Sequence, residues 1–238
     1  MENPLPTRDR GDLAVIAVAV GVGSYLLVVV WGLVLTGLLG RPSGLVETQA
    51  LNSAALLLAT LLVVRLFFGW ADLDYRFLDL SRPGLSDLLW GGLGFLALVG
   101  VSVAVSILNI PTASHGLAEQ ARAAGIQVLW LLVPVSLLVV GPAEELVYRN
   151  LVQKTLSIGF GAGPAIFAAS LVFALAHLPA YAGSGGTALM GSLGAVFLLS
   201  LVLGGVYAKT RSLLTVALLH GLYDVVAYAN IFIDLGWP

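Results

Sequence analysis

Long apolar runs separated by short polar clusters dominate this chain. Seven stand out: Leu13–Leu39, Ala50–Phe68, Leu88–Leu108, Ile126–Tyr148, Pro164–His177, Ala188–Tyr207 and Leu213–Ile233. A helix needs about 20 such residues to cross a hydrocarbon layer ~30 Å thick. The runs are continuous rather than alternating, so a transmembrane barrel is not the reading. The pattern predicts an all-α, polytopic membrane protein with about seven transmembrane helices. Loops between the runs are short, which makes residues 1–238 a single integral membrane domain. The first run follows Arg8 and Arg10, as the core of a secretion signal would. It is about twice the usual length of such a core, and no convincing small-residue cleavage site follows, so it reads as a retained span.

Composition agrees and narrows the choice. Hydrophobic residues make up 59% of the chain and charged residues 10%, against about 45–50% and 25% in soluble domains. A water-soluble domain and a disordered chain are both excluded. The net charge of −2 has none of the basic excess that nucleic-acid binding needs. With no cysteine, disulfides, a thiolate nucleophile, Cys-bound zinc and iron–sulfur clusters are ruled out.

The eleven basic residues fall unevenly between alternate loops. Counting from a cytoplasmic N-terminus, the inner segments hold Arg8, Arg10, Arg65, Arg76, Arg82, Arg149, Lys154, Lys209 and Arg211, nine in all. The outer segments hold Arg41 and Arg122. Cytoplasmic loops are enriched in Lys and Arg, so the N-terminus is expected inside and the C-terminus outside, in the cell membrane. The charged stretch Ala71–Ser86 reads as a solvated connector. His115 reads as a solvated loop residue. Trp31, Trp70, Trp90, Trp130 and Trp237 read as interfacial anchors.

Ionisable residues inside the runs come next. Away from their ends, the first three spans have none, whereas the last four contain Glu144, Glu145, Arg149, His177, His220 and Asp224. Each charge at bilayer depth costs roughly 2.5–3.5 kcal/mol on insertion scales, so four would cost about 10 kcal/mol facing lipid. They must face one another or a wet cavity. Residues four apart share a helix face. That pairs Glu145 with Arg149, Phe173 with His177, and His220 with Asp224. Glu144 is turned about 100° from Glu145, so one carboxylate is structural and the other available. Pro142 lacks an N–H and bends the helix just before the acids. A carboxylate beside an imidazole can activate water, and donors nearby can hold an oxyanion. Hydrolysis is the favoured reaction class. Helical rise places Glu144 and His220 in the inner half of the bilayer. The expected cavity opens to the cytoplasm, with a turn at Gly159–Gly163.

Three motifs carry a family resemblance. Glu144-Glu145-Leu-Val-Tyr-Arg149 fits E-E-x-x-x-R, Phe173-Ala-Leu-Ala-His177 fits F-x-x-x-H, and His220-Gly-Leu-Tyr-Asp224 fits H-x-x-x-N/D. In this order they resemble the CPBP family (CAAX proteases and bacteriocin-processing enzymes, or Abi), which are intramembrane glutamic proteases. The resemblance implies a peptidase core over residues 126–233, in the last four helices. It implies that Glu144 and His177 activate water, that His220 and Asp224 stabilise the oxyanion, and that Glu145, Arg149 and Phe173 support the site. It implies no cofactor and no metal, and a peptide or protein substrate at the membrane, prenylated or not. Eukaryotic members cut prenylated C-terminal tripeptides; prokaryotic members are linked to peptide processing or bacteriocin immunity. Asp224 stands where the eukaryotic enzymes have Asn. An ionised Asp cannot donate, so it either is protonated or orients His220. Two alternatives remain. The polar cluster can serve a non-catalytic protein, a proton-coupled transporter or a bacteriocin-immunity protein, or it can bind zinc in a metalloprotease.

Overall fold

A computed structural model describes residues 9–113, 119, 122–125, 128–181 and 183–233. Arg8, His115, Ile126 and Trp237 lie outside the described residues. Seven helices follow the predicted runs: α1 (Arg10–Leu39), α2 (Leu45–Ala71), α3 (Leu85–Ile107), α4 (Leu129–Phe160), α5 (Ala162–Ala176), α6 (Gly186–Thr210) and α7 (Leu213–Ile233). No strand occurs among the described residues. Six of these helices are long and apolar enough to cross a membrane, and α5, with 15 residues, is shorter.

The largest departure from the sequence reading is α4. Its apolar run ends at Tyr148, yet the helix continues to Phe160. Arg149 to Lys154 look like a polar loop, but each polar side chain in that stretch finds a partner inside the bundle. Arg149 donates to Glu145 and Ser200, Asn150 to Tyr207, Gln153 to the Gly204 carbonyl, and Lys154 to Asp79 and the Phe77 carbonyl. Paired in this way, these residues remain helical out of water. The chain then turns at Gly161, whose φ of +75° suits a residue without a Cβ. That turn falls inside the expected Gly159–Gly163 stretch.

Two segments of α4 are wound as π-helix, Ser136–Val140 and Leu146–Gln153, on either side of Glu144 and Glu145. The Gly141 N–H bonds the Ser136 carbonyl, five residues back, and the next residue is Pro142, which offers no N–H. Such widened turns are frequent at functional sites.

Two glycines set the crossing of α4 and α7. A Cβ on Gly141 would lie 2.6 Å from the Ala217 carbonyl oxygen, and one on Gly221 would lie 2.8 Å from the Ser136 oxygen and 2.9 Å from Leu137 Cα. Only hydrogen fits at either place, so the backbones touch, as small residues permit in lipid. This contact holds the acid pair of α4 beside the His220 turn of α7.

The connector after α2 differs from the expected solvated loop. Asp79 bonds Lys154 Nζ at 2.8 Å, accepts from Tyr207 Oη at 2.6 Å and lies 3.3 Å from Arg211 Nε. Its backbone oxygen accepts from the Leu213 N–H. Phe77 is buried against Phe67, Val63 and Leu151. The connector therefore clasps α2, α4, α6 and α7 together. The charge density of this stretch made it look solvated; its cross-chain partners are what bury it.

Candidate active site

Three helices deliver the candidate side chains to one place. Glu145 and Arg149 are fully buried on α4. Arg149 Nε donates to Glu145 Oε2 at 2.9 Å, and its Nη2 donates to Ser200 of α6, also at 2.9 Å. The second oxygen of Glu145 is 2.9 Å from His220 Nδ1. Ion-paired to Arg149, that carboxylate can only accept, so His220 Nδ1 carries the proton. Glu145 is thus occupied at both oxygens and fixes the ring of His220.

Glu144 is placed differently. Its Oε2 is buried without a hydrogen-bond partner among the described residues, 3.9 Å from His220 Nε2. Asp224 Oδ1 lies 3.7 Å from the same nitrogen. Two carboxyl groups therefore flank one edge of the imidazole, neither within bonding distance. The i, i+4 stripe on α7 and the 100° offset on α4 are both visible in this arrangement.

His177 caps α5. Its Nδ1 lies 2.9 Å from the Phe173 carbonyl, and since a carbonyl only accepts, Nδ1 is the donor. In the neutral ring, Nε2 then keeps its lone pair. The Phe173 ring separates the two imidazoles, 4.5 Å from His177 and 6.0 Å from His220 between centroids. It is itself wedged by Tyr148, edge-on at 5.0 Å, with the Arg149 guanidinium 5.3 Å from its centroid. Phe173 thus stands between the two imidazoles. Tyr148 packs behind it, while Tyr223 reaches the cavity and shares a 2.7 Å hydrogen bond with Ser102.

Glu144, His177, His220 and Asp224 all line one cavity of about 780 Å³. Glu145 and Arg149 lie behind its wall. The cavity also meets residues not singled out from sequence, among them Gln49, Asn52, Tyr181 and Tyr228. Tyr228 follows Asp224 by four residues and extends the His220 stripe, a signal that was available. Gln49 and Asn52 form a polar pair at the start of an apolar run, a weaker signal. Tyr181, outside the spans, has its phenol pushed above the ordinary tyrosine range by burial, so at neutral pH it is a hydrogen-bond donor.

The expected opening and the expected orientation of the termini do not both hold. The cavity walls run from the Glu144–His220 level to Thr112, Ala113 and Pro179–Tyr181, in the connections after α3 and α5. The Ala113 N–H bonds Ser192 near the start of α6, which places those connections at one end of the bundle. The charge count assigns that end to the outside. A cytoplasmic N-terminus and a cytoplasmic opening therefore exclude one another.

Among the described residues, no three His, Asp or Glu side chains are grouped as metal ligands would be. Residues 126–226 match the family model described as Type II CAAX prenyl endopeptidase Rce1-like. No curated protein and no solved structure matches the chain. The matched segment contains every candidate site residue and overlaps the stretch that carries the motif resemblance. Over this segment the chain is similar to that family.

Proposed function

We propose, from a membrane segment of the CAAX endopeptidase family, that the chain is an intramembrane endopeptidase in which Glu144 and His177 activate water. One observation carries the reading. Of two adjacent glutamates, Glu145 is saturated by Arg149 and His220, and Glu144 presents an unpartnered oxygen at the wall of a cavity shared with both imidazoles.

The steps follow from the donors and acceptors. A water between Glu144 and His177 gives a hydrogen bond to His177 Nε2 and a proton to the Glu144 carboxylate. Its oxygen forms a bond to the scissile carbonyl carbon, and the carbonyl π bond becomes the oxyanion. His220, held at Nδ1 by Glu145, presents Nε2 to that oxyanion and, when protonated there, donates to it. Collapse re-forms the carbonyl and breaks the C–N bond. Glu144 returns its proton to the leaving amine. Asp224 flanks Nε2 and orients the His220 ring. Arg149 is a positioning residue: it acts through Glu145.

The test is cleavage of a peptide library by the purified chain in detergent, with and without chelator. The proposal expects cleavage that survives the chelator. Activity lost to chelator and restored by zinc would replace the glutamate mechanism with a zinc one. No cleavage of any peptide would favour a transporter or immunity role for the cluster.

A further inference from the structure

The two ends of the helix bundle are built differently. One is closed by the Asp79 clasp, with Lys154, Tyr207 and Arg211 around the carboxylate and the Phe67, Phe77 and Leu151 core beneath it. The start of α1 belongs to this end, because a Cβ on Gly159 would lie 2.9 Å from Leu13 and 3.5 Å from Arg10. At the other end the cavity reaches the connections after α3 and α5, and the first turns of α2 and α6 line it through Gln49, Asn52 and Ser192.

Helix direction assigns the basic residues to the same two ends. The clasped end has Arg10, Arg65, Arg76, Arg82, Lys154, Lys209 and Arg211. Lys209 sits over the Trp90 ring at the start of α3, and the Arg65 side chain reaches toward Gly69. The open end has Arg41 and Arg122. Arg149 belongs to neither end, being buried at mid-depth. With Arg149 left out, the described basic residues divide seven against two between the ends, a bias that short loops normally show toward the cytoplasm.

We infer that the catalytic cavity opens on the non-cytoplasmic face and takes its substrate there, as a peptide segment of an exported or membrane-anchored protein. A C-terminal tail presented from the cytoplasm would meet the clasped end, where buried side chains fill the bundle. The upper walls suit a peptide. Gln49, Asn52 and Thr112 bring uncharged polar groups to the wall, and among the described residues no Lys or Arg lines the cavity to demand an anionic ligand. The substrate class rests on the peptidase reading; the direction of opening rests on geometry and charge alone.

The absence of cysteine makes the test direct, since one introduced thiol is the only reactive one. Thr112→Cys and Ala180→Cys mark the open end, and Ser81→Cys marks the clasped end without altering any basic residue. Cells expressing each full-length variant are treated with a membrane-impermeant maleimide before and after permeabilisation, with labelling in detergent confirming each thiol. The expected result is labelling of Thr112→Cys and Ala180→Cys in intact cells, and of Ser81→Cys only after permeabilisation. The reverse pattern, or labelling of both ends in intact cells, overturns the inference. Cleavage by the unsubstituted chain in detergent is read separately. No cleavage by that chain, with the expected labelling of the variants, overturns the peptidase reading and leaves the orientation standing.

Discussion

The first three helices and the last four are both strongly apolar, yet they do opposite work. In α1–α3 large side chains face outward: Leu33 is 70% exposed, Leu38 76% and Leu96 67%. In α4–α7 the interior takes charges, and Glu145, Arg149 and Asn150 are fully buried. The family match begins where this change begins. A lipid-facing helix needs only apolar length, whereas a helix that carries charge needs neighbours to pair with its polar side chains, so its sequence is tied to distant residues.

The sharpest way to break this contrast is Arg149→Met. It leaves the buried Glu145 carboxylate without its ion-pair partner, held by the His220 N–H alone, and breaking a buried pair in this way costs about 3–5 kcal/mol. A large loss of thermal stability in detergent is expected, together with lost cleavage; an unchanged melting temperature would show that Glu145 does not depend on the pair. Gly221→Ala comes next. Its Cβ would press on Ser136 and Leu137, and overpacking of this kind costs about 1–3 kcal/mol. Cleavage should fall even where the protein remains folded, because the α4–α7 contact sets the Glu144–His220 distance. Asp79→Asn weakens the clasp, far from the reacting groups. A loss of about 1.5 kcal/mol in stability is expected, the lower end of the range for a hydrogen bond to a charged group, with cleavage retained. The smallest effect belongs to the lipid face: Leu33→Ala should stay within about 0.5 kcal/mol of the parent and leave cleavage unchanged. A large effect there would mean that α1 contributes more than apolar length.

Asp224→Asn sharpens the reading inside the last four helices. Asn keeps the shape and adds a donor, so cleavage should persist, whereas Asp224→Leu should lose it. Equal loss in both would show that a carboxylate itself is required.

The sequence made the helices readable wherever apolar length alone defines them, which is why the seven runs and the seven helices coincide to within a few residues, α4 apart. It hid the second half of α4 and the Asp79 clasp. Both depend on pairs such as Asp79–Lys154 and Asn150–Tyr207, which no local pattern records. At the site, the spacing separated the two glutamates and aligned His220 with Asp224. It did not show that Glu145 holds both Arg149 and His220, or that the cavity walls rise toward the connections after α3 and α5. Those facts depend on which residues meet across the bundle.

The central claim is that Glu144 is the free acid and Glu145 the structural one. Glu144→Gln, with cleavage and thermal unfolding measured on one preparation in detergent, tests it most directly. The account predicts cleavage reduced by about 10²–10⁴-fold, the range for a positioned general base, with an unchanged melting temperature. Full cleavage by Glu144→Gln in a folded protein would contradict it.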